Sequence, residues 1–180
     1  MKHFRWNAAA MIVLIMAACA APFLSFHHAH RVQAWHRLAI TGLDGKPLSP
    51  LAWNGRFVLI NFWSTDCEAC LAEMPALENA YMRYGASGLS VVGVALSNDD
   101  PNRVAAAAAM SHVTYPQAWD ASGQLNEAFG GIAVVPTTLL VDNDGDIVFR
   151  QEGALNESEL ASLAEAYGLC ATGKSSSINP

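Results

Sequence analysis

Charge is scarce in this 180-residue chain: 14% of residues are charged against 52% hydrophobic, and the ten basic residues are outnumbered by 16 acids for a formal net charge of −6. Acid is missing altogether from residues 1–37, which carry Lys2, Arg5, Arg31 and Arg37, so the rest of the chain holds six basic and all 16 acidic residues, a net of 6 − 16 = −10. A body that acidic repels phosphate backbones, which argues against nucleic acid as a partner. Cysteine is sparse as well, with four in all: Cys19, Cys67, Cys70 and Cys170. That excludes a disulfide-stapled scaffold, and a domain of this length buries enough surface to fold without one. Because no second closely spaced pair accompanies Cys67 and Cys70, a four-cysteine zinc site is excluded too. No internal repeat is present.

The amino terminus explains part of the charge asymmetry. Lys2 and Arg5 precede an unbroken apolar run from Ala8 to Leu24, the pattern of a secretion signal. The run is 17 residues long with Pro22 near its end, short for a spanning helix and long for a removable signal core. Three fates follow: retention as a signal anchor, cleavage after Ala20, or lipidation of Cys19, since Met16-Ala17-Ala18-Cys19 is similar to a bacterial lipobox. Each leaves Lys2 and Arg5 in the cytoplasm and exports the remainder. Residues 1–26 are therefore expected to be a signal peptide or membrane anchor. Residues 27–36, with His27, His28, His30 and His36, read as a linker, because no acid or cysteine at ligand spacing accompanies these histidines. Residues 170–180 are expected to be a disordered tail.

Between them, residues 37–169 alternate in pattern as an α/β domain does. Residues 37–40 suit an edge strand, and Asp44-Gly45 with Pro47 and Pro50 supplies turn chemistry. The continuous β-branched and aromatic run Phe57–Phe62 predicts a central strand buried on both faces. A helix is expected from about Cys67 to Tyr84, with Leu71, Met74, Leu77 and Tyr81 on its apolar stripe and Pro75 as a kink. Residues 89–96 form a second buried strand, Asp100-Pro101 opens a helix to Met110, and residues 115–119 are extended. After a short helical piece at 125–129, strands 137–141 and 147–150 flank the turn Asp142-Asn143-Asp144-Gly145. The three aspartates Asp142, Asp144 and Asp146 lack the terminal glutamate of a calcium loop. Asn156 with Glu159 is a capping box for a last helix, 158–167.

Cys67-Glu68-Ala69-Cys70 sets two thiols three residues apart, directly after a buried strand and at a helix start. Unsatisfied N–H groups and the macrodipole there stabilise a thiolate, so Cys67 becomes the nucleophile. Cys70, one turn deeper, can attack a mixed disulfide on Cys67 and release a reduced partner. A purely structural bridge over so small a loop would constrain little of the unfolded chain. Asp66 and Glu68 flank Cys67 and oppose its ionisation.

The segment Asn61-Phe62-Trp63-Ser64-Thr65-Asp66-Cys67-Glu68-Ala69-Cys70-Leu71-Ala72-Glu73-Met74-Pro75 closely resembles the active-site segment of TlpA-like and ResA-like thiol-disulfide oxidoreductases, and Val135-Pro136-Thr137-Thr138-Leu139-Leu140-Val141-Asp142 resembles their second signature. The resemblance spans about residues 38–168. It implies a thioredoxin-like fold, a central mixed β-sheet flanked by helices, here with an N-terminal apolar signal or anchor segment. It also implies that Pro136 is a cis-proline facing the cysteines, that Val135 pairs through its backbone with an incoming peptide, that Trp63 belongs to the substrate-binding surface, and that Glu73 is the acid behind the cysteine pair, able to take the proton of Cys70. Asn61 stands where thioredoxin has a buried aspartate, and an amide cannot shuttle a proton.

From this follow the functional expectations: a periplasmic enzyme, tethered to the inner membrane or released into the periplasm, that reduces disulfides of exported proteins such as apocytochrome c or copper-site proteins. It would draw electrons from a membrane donor of DsbD-like type and need no cofactor and no metal. The rival reading is a copper-delivery module using the same two cysteines, since soft thiolates suit Cu(I). Against it, no histidine or methionine follows the second signature to complete a site.

Overall fold

The computed structural model describes residues 40–48 and 57–171. The expected signal or anchor at 1–26, the lipidation at Cys19, the histidine linker and the tail beyond residue 171 lie outside the described residues. Among those described, no helix is long and apolar enough to cross a membrane.

The described residues open with a small hairpin, β1 (Ile40–Thr41) and β2 (Pro47–Leu48), paired antiparallel around Asp44-Gly45. Of the edge strand expected at 37–40 only Ile40 is described, and it belongs to β1, which pairs with β2. A bridge from Gly42 to Ala118 anchors the hairpin. The body is a five-stranded mixed sheet in the order β5-β4-β3-β6-β7, with β3 at Phe57–Trp63, β4 at Leu89–Ala95, β5 at Gln117–Trp119, β6 at Thr137–Val141 and β7 at Ile147–Glu152. β3 pairs parallel with β4 and antiparallel with β6. Its two-sided neighbours explain why a seven-residue strand is apolar nearly throughout.

Alternate residues of β3 supply two different cores. Val58, Ile60 and Phe62 pack with Leu125, Phe129 and Ile132 on one side. Leu59 packs on the other with Leu77, Ala80 and Tyr84 of α1 (Glu68–Tyr84) and with Leu160 and Ala164 of α4 (Glu157–Ala166). α2 (Pro101–Met110) and the short α3 (Gln124–Ala128) complete the layers. Asp100 caps α2 by accepting from the Asn102 and Arg103 N–H groups, and the Asn156–Glu159 capping box opens α4. The fold is the thioredoxin-like α/β arrangement.

α1 departs from the expected stripe. Its buried residues are Cys70, Glu73, Met74, Leu77, Ala80 and Tyr84, while Leu71 and Tyr81 are only half-buried. The face turns because a carboxylate, Glu73, is accommodated inside by hydrogen bonds, which hydropathy alone does not anticipate. The helix continues as one element through Pro75.

Candidate active site

β3 ends at Trp63 and delivers the chain through Ser64, Thr65 and Asp66 to Cys67, the N-cap of α1. Cys67 is extended, at φ −100° and ψ 99°, and its Sγ accepts from the Cys70 N–H at 3.1 Å. A sulfur in the N-cap position takes the place usually filled by a hydroxyl or carboxylate, so the backbone dipoles that would stabilise a thiolate already converge on it. Cys67 and Cys70 are joined in a disulfide of 2.07 Å. The two are unequally placed: Cys67 is half-buried and Cys70 fully enclosed.

The start of β6 approaches from across the sheet. The Val135–Pro136 peptide bond is cis, and the Val135 carbonyl oxygen lies 3.6 Å from Cys67 Sγ. Pro136 is buried and Val135 half-buried. The neighbouring backbone is tied down, since Thr137 Oγ1 donates to the Val134 carbonyl at 2.6 Å and the Gly153 N–H to that of Pro136 at 2.8 Å.

Glu73, three residues after Cys70 on the buried face of α1, is 3% exposed. Its Oε1 accepts from the Leu155 N–H at 2.8 Å and its Oε2 from Asn61 Nδ2 at 3.1 Å, and Asn61 also donates to Thr138 Oγ1 at 3.0 Å. Burial pushes the Glu73 carboxyl above the ordinary carboxylate range; the Leu155 and Asn61 hydrogen bonds oppose that, and the nearby Glu159 charge adds to it. The position is that of a buried acid one turn after Cys70 on the same helix face.

Trp63 requires a correction. It is fully buried, and its indole N–H donates to Gln117 Oε1 at 3.0 Å. The side chain therefore packs behind the pair with Cys70 and Met74 and does not reach the surface a substrate meets, because an odd-numbered residue of β3 points under α1.

Other residues come to the site that the sequence analysis did not single out. Asp99, buried in the turn between β4 and α2, accepts from Ser64 Oγ at 3.1 Å, from the Thr65 N–H at 3.2 Å and from Thr65 Oγ1 at 2.7 Å, which fixes the loop before Cys67. Asp66, a bare charge beside Cys67 in the sequence, is ion-paired with Arg103 of α2. The signal for Asp99 was its place just before a helix cap; for Arg103 there was none.

Comparison with known proteins follows the same line. The Redoxin family model matches residues 20–167. Thiol-disulfide oxidoreductase ResA of Bacillus thuringiensis subsp. konkukian is 30% identical over 122 residues, covering 67% of this chain and 69% of the relative. The chain is a Redoxin-family thiol-disulfide oxidoreductase. A ResA of Halalkalibacterium halodurans is 27% identical over 169 residues, 91% of this chain and 94% of the relative. Among solved structures, StoA from Bacillus subtilis has a TM-score of 0.62 at 22% identity, covering 69% of this chain and 93% of that one. A thioredoxin-family thiol:disulfide interchange protein from Chlorobium tepidum has a TM-score of 0.65 at 24% identity, covering 70% and 89%. These two likenesses speak to the fold.

Proposed function

We propose that this oxidoreductase works outside the cytoplasm, held at the membrane by its N-terminal segment, and reduces disulfides of exported proteins in two steps. In the first, the Cys67 thiolate attacks one sulfur of a substrate disulfide. A Cys67–substrate disulfide forms, and the other substrate sulfur leaves as a thiolate and is protonated. In the second, Cys70 gives its proton to the Glu73 carboxylate and attacks Cys67 Sγ. The Cys67–Cys70 disulfide forms, the remaining substrate sulfur departs as a thiolate, and two electrons have passed to the substrate. A membrane dithiol donor of DsbD-like type would return the pair to its reduced form. Apocytochrome c and copper-site proteins are the substrate classes that the family likeness favours.

The observation that carries this reading is the Cys70 N–H directed at Cys67 Sγ at 3.1 Å, with Cys67 accessible and Cys70 enclosed. Val135 supports it: its carbonyl stands beside Cys67 Sγ, placed for an extended substrate peptide to pair along it. Cys70→Ser should trap mixed disulfides through Cys67, and Cys67→Ser should abolish insulin reduction. Adducts that form on Cys67→Ser and not on Cys70→Ser would reverse the two roles.

A further inference from the structure

The loop that leads into Cys67 is held by Asp99, in the turn after β4, and by the first turn of α2. Asp99 takes three donors from Ser64 and Thr65. Arg103, third residue of α2, reaches back to close the ion pair with Asp66. The backbone at Arg103 is fixed, because its N–H donates to Asp100 Oδ1 at 3.1 Å as part of the helix cap. Asp66 is adjacent in sequence to Cys67, so its carboxylate sits one peptide from the sulfur that must carry negative charge. An uncompensated carboxylate there would work against the N-cap donation that stabilises a thiolate. Glu68, on the other flank, is exposed in the first turn of α1. The pair divides these two flanking acids into one that is compensated and one that faces water.

We infer that Arg103 is a positioning residue for the exchange chemistry, compensating Asp66 so that Cys67 can ionise near neutral pH. The inference rests on Cys67 being the attacking thiol. The reason for it is the sign of the charges. With the pair intact, Asp66 and Arg103 together add almost no charge to the flank before Cys67, on which Asp99 and Asp100 also face the guanidinium. Losing Arg103 makes that flank more negative and losing the Asp66 carboxylate makes it less so. A tether that merely held the loop in place would respond in the same direction to the loss of either partner.

The test uses the full-length protein in a Cys70→Ser background, with the alkylation rate of Cys67 followed against pH by mass spectrometry of its peptide. Arg103→Ala should raise the apparent Cys67 pKa by about half a unit, and Asp66→Asn should lower it by about as much, as expected for one exposed charge a few ångströms away. The Arg103→Ala/Asp66→Asn double variant should return to the parent value, and Arg103→Lys, which keeps the charge, should stay there. Equal-direction shifts from the two single variants, or no shift in either, would overturn the inference. The same samples, offered a substrate disulfide, separate the two readings. If adducts map to Cys67 while the pKa pattern fails, only the role of Arg103 falls. If no adduct maps to Cys67, the proposed mechanism falls and this inference with it.

Discussion

Glu73 and Leu155 are joined by a buried hydrogen bond of 2.8 Å across 82 residues of sequence. It ties the active-site helix to the loop between β7 and α4, and it places a carboxylate in the interior with a fixed donor on each oxygen, Leu155 on one and Asn61 on the other. Burial nevertheless dominates and raises its pKa, with a consequence for stability. Where the folded pKa lies above the unfolded one, the native state holds the proton more tightly. The stabilisation is then complete below the ordinary value of 4.5 and is lost as pH rises from there through the raised folded value.

The first prediction is therefore that Glu73→Gln flattens this part of the stability profile. The stability of the parent relative to the variant should fall from pH 4.5 upward and level off above the raised pKa, by about 1.4 kcal/mol for each unit of elevation. Urea unfolding of both proteins across that range measures it. A difference independent of pH would mean that Glu73 is not the group that titrates.

The same substitution should act on one chemical step and spare the other. A glutamine at position 73 cannot accept the Cys70 proton, so resolution of the mixed disulfide should slow on the order of 10²-fold near neutral pH, while first attack by Cys67 is unchanged. Rapid acid quenching with detection of the Cys67 adduct separates the steps. Equal slowing of both would point to a displaced helix instead.

What was legible in the sequence was local. The apolar run of β3, the helix start near Cys67, the Asp100 and Asn156 helix openings and the turn after Val141 all depend on residues within a few positions of one another, and each has its own physical signature. The cysteine pair and Pro136 were legible through their motifs. What escaped was non-local. Nothing near Glu73 announces Leu155, nothing near Asn61 announces Thr138 across 77 residues, and the Asp66–Arg103 pair spans 37. Trp63 was misplaced for a related reason: adjacency to the active-site loop says nothing about which face of a central strand a side chain takes, and here strand parity sends the indole inward to Gln117.

Gly93 offers a third prediction. It lies opposite Asn61 on β3 and Gln117 on β5, and a Cβ built on it would overlap the Gln117 side-chain amide. That amide is the acceptor for Trp63, so it cannot swing aside without leaving a buried indole N–H unpaired. Gly93→Ala should cost about 1–3 kcal/mol, and much less when introduced into Gln117→Ala, where the overlap is gone. Chemical denaturation of the four proteins completes the cycle, and additive costs would show that the overlap is relieved by other means.

The last prediction concerns the acid that no cation compensates among the contacts of the described residues. Glu68 is exposed in the first turn of α1, directly after Cys67, where its charge favours the helix dipole but disfavours a neighbouring thiolate. Asp66 is held by Arg103, so Glu68 is left as the uncompensated flanking charge beside Cys67. A comfortable thiolate stabilises the reduced form and makes a pair more oxidising, and Glu68 works in the opposite direction. Glu68→Gln should therefore lower the Cys67 pKa and raise the reduction potential, modestly, because water and salt screen an exposed charge. Equilibration of parent and variant with glutathione at low and high ionic strength reads the change, which should shrink as salt is added. A potential that rises equally at both ionic strengths would assign the effect to altered helix capping, and a potential that falls would mean that Glu68 favours the Cys67 thiolate instead of opposing it.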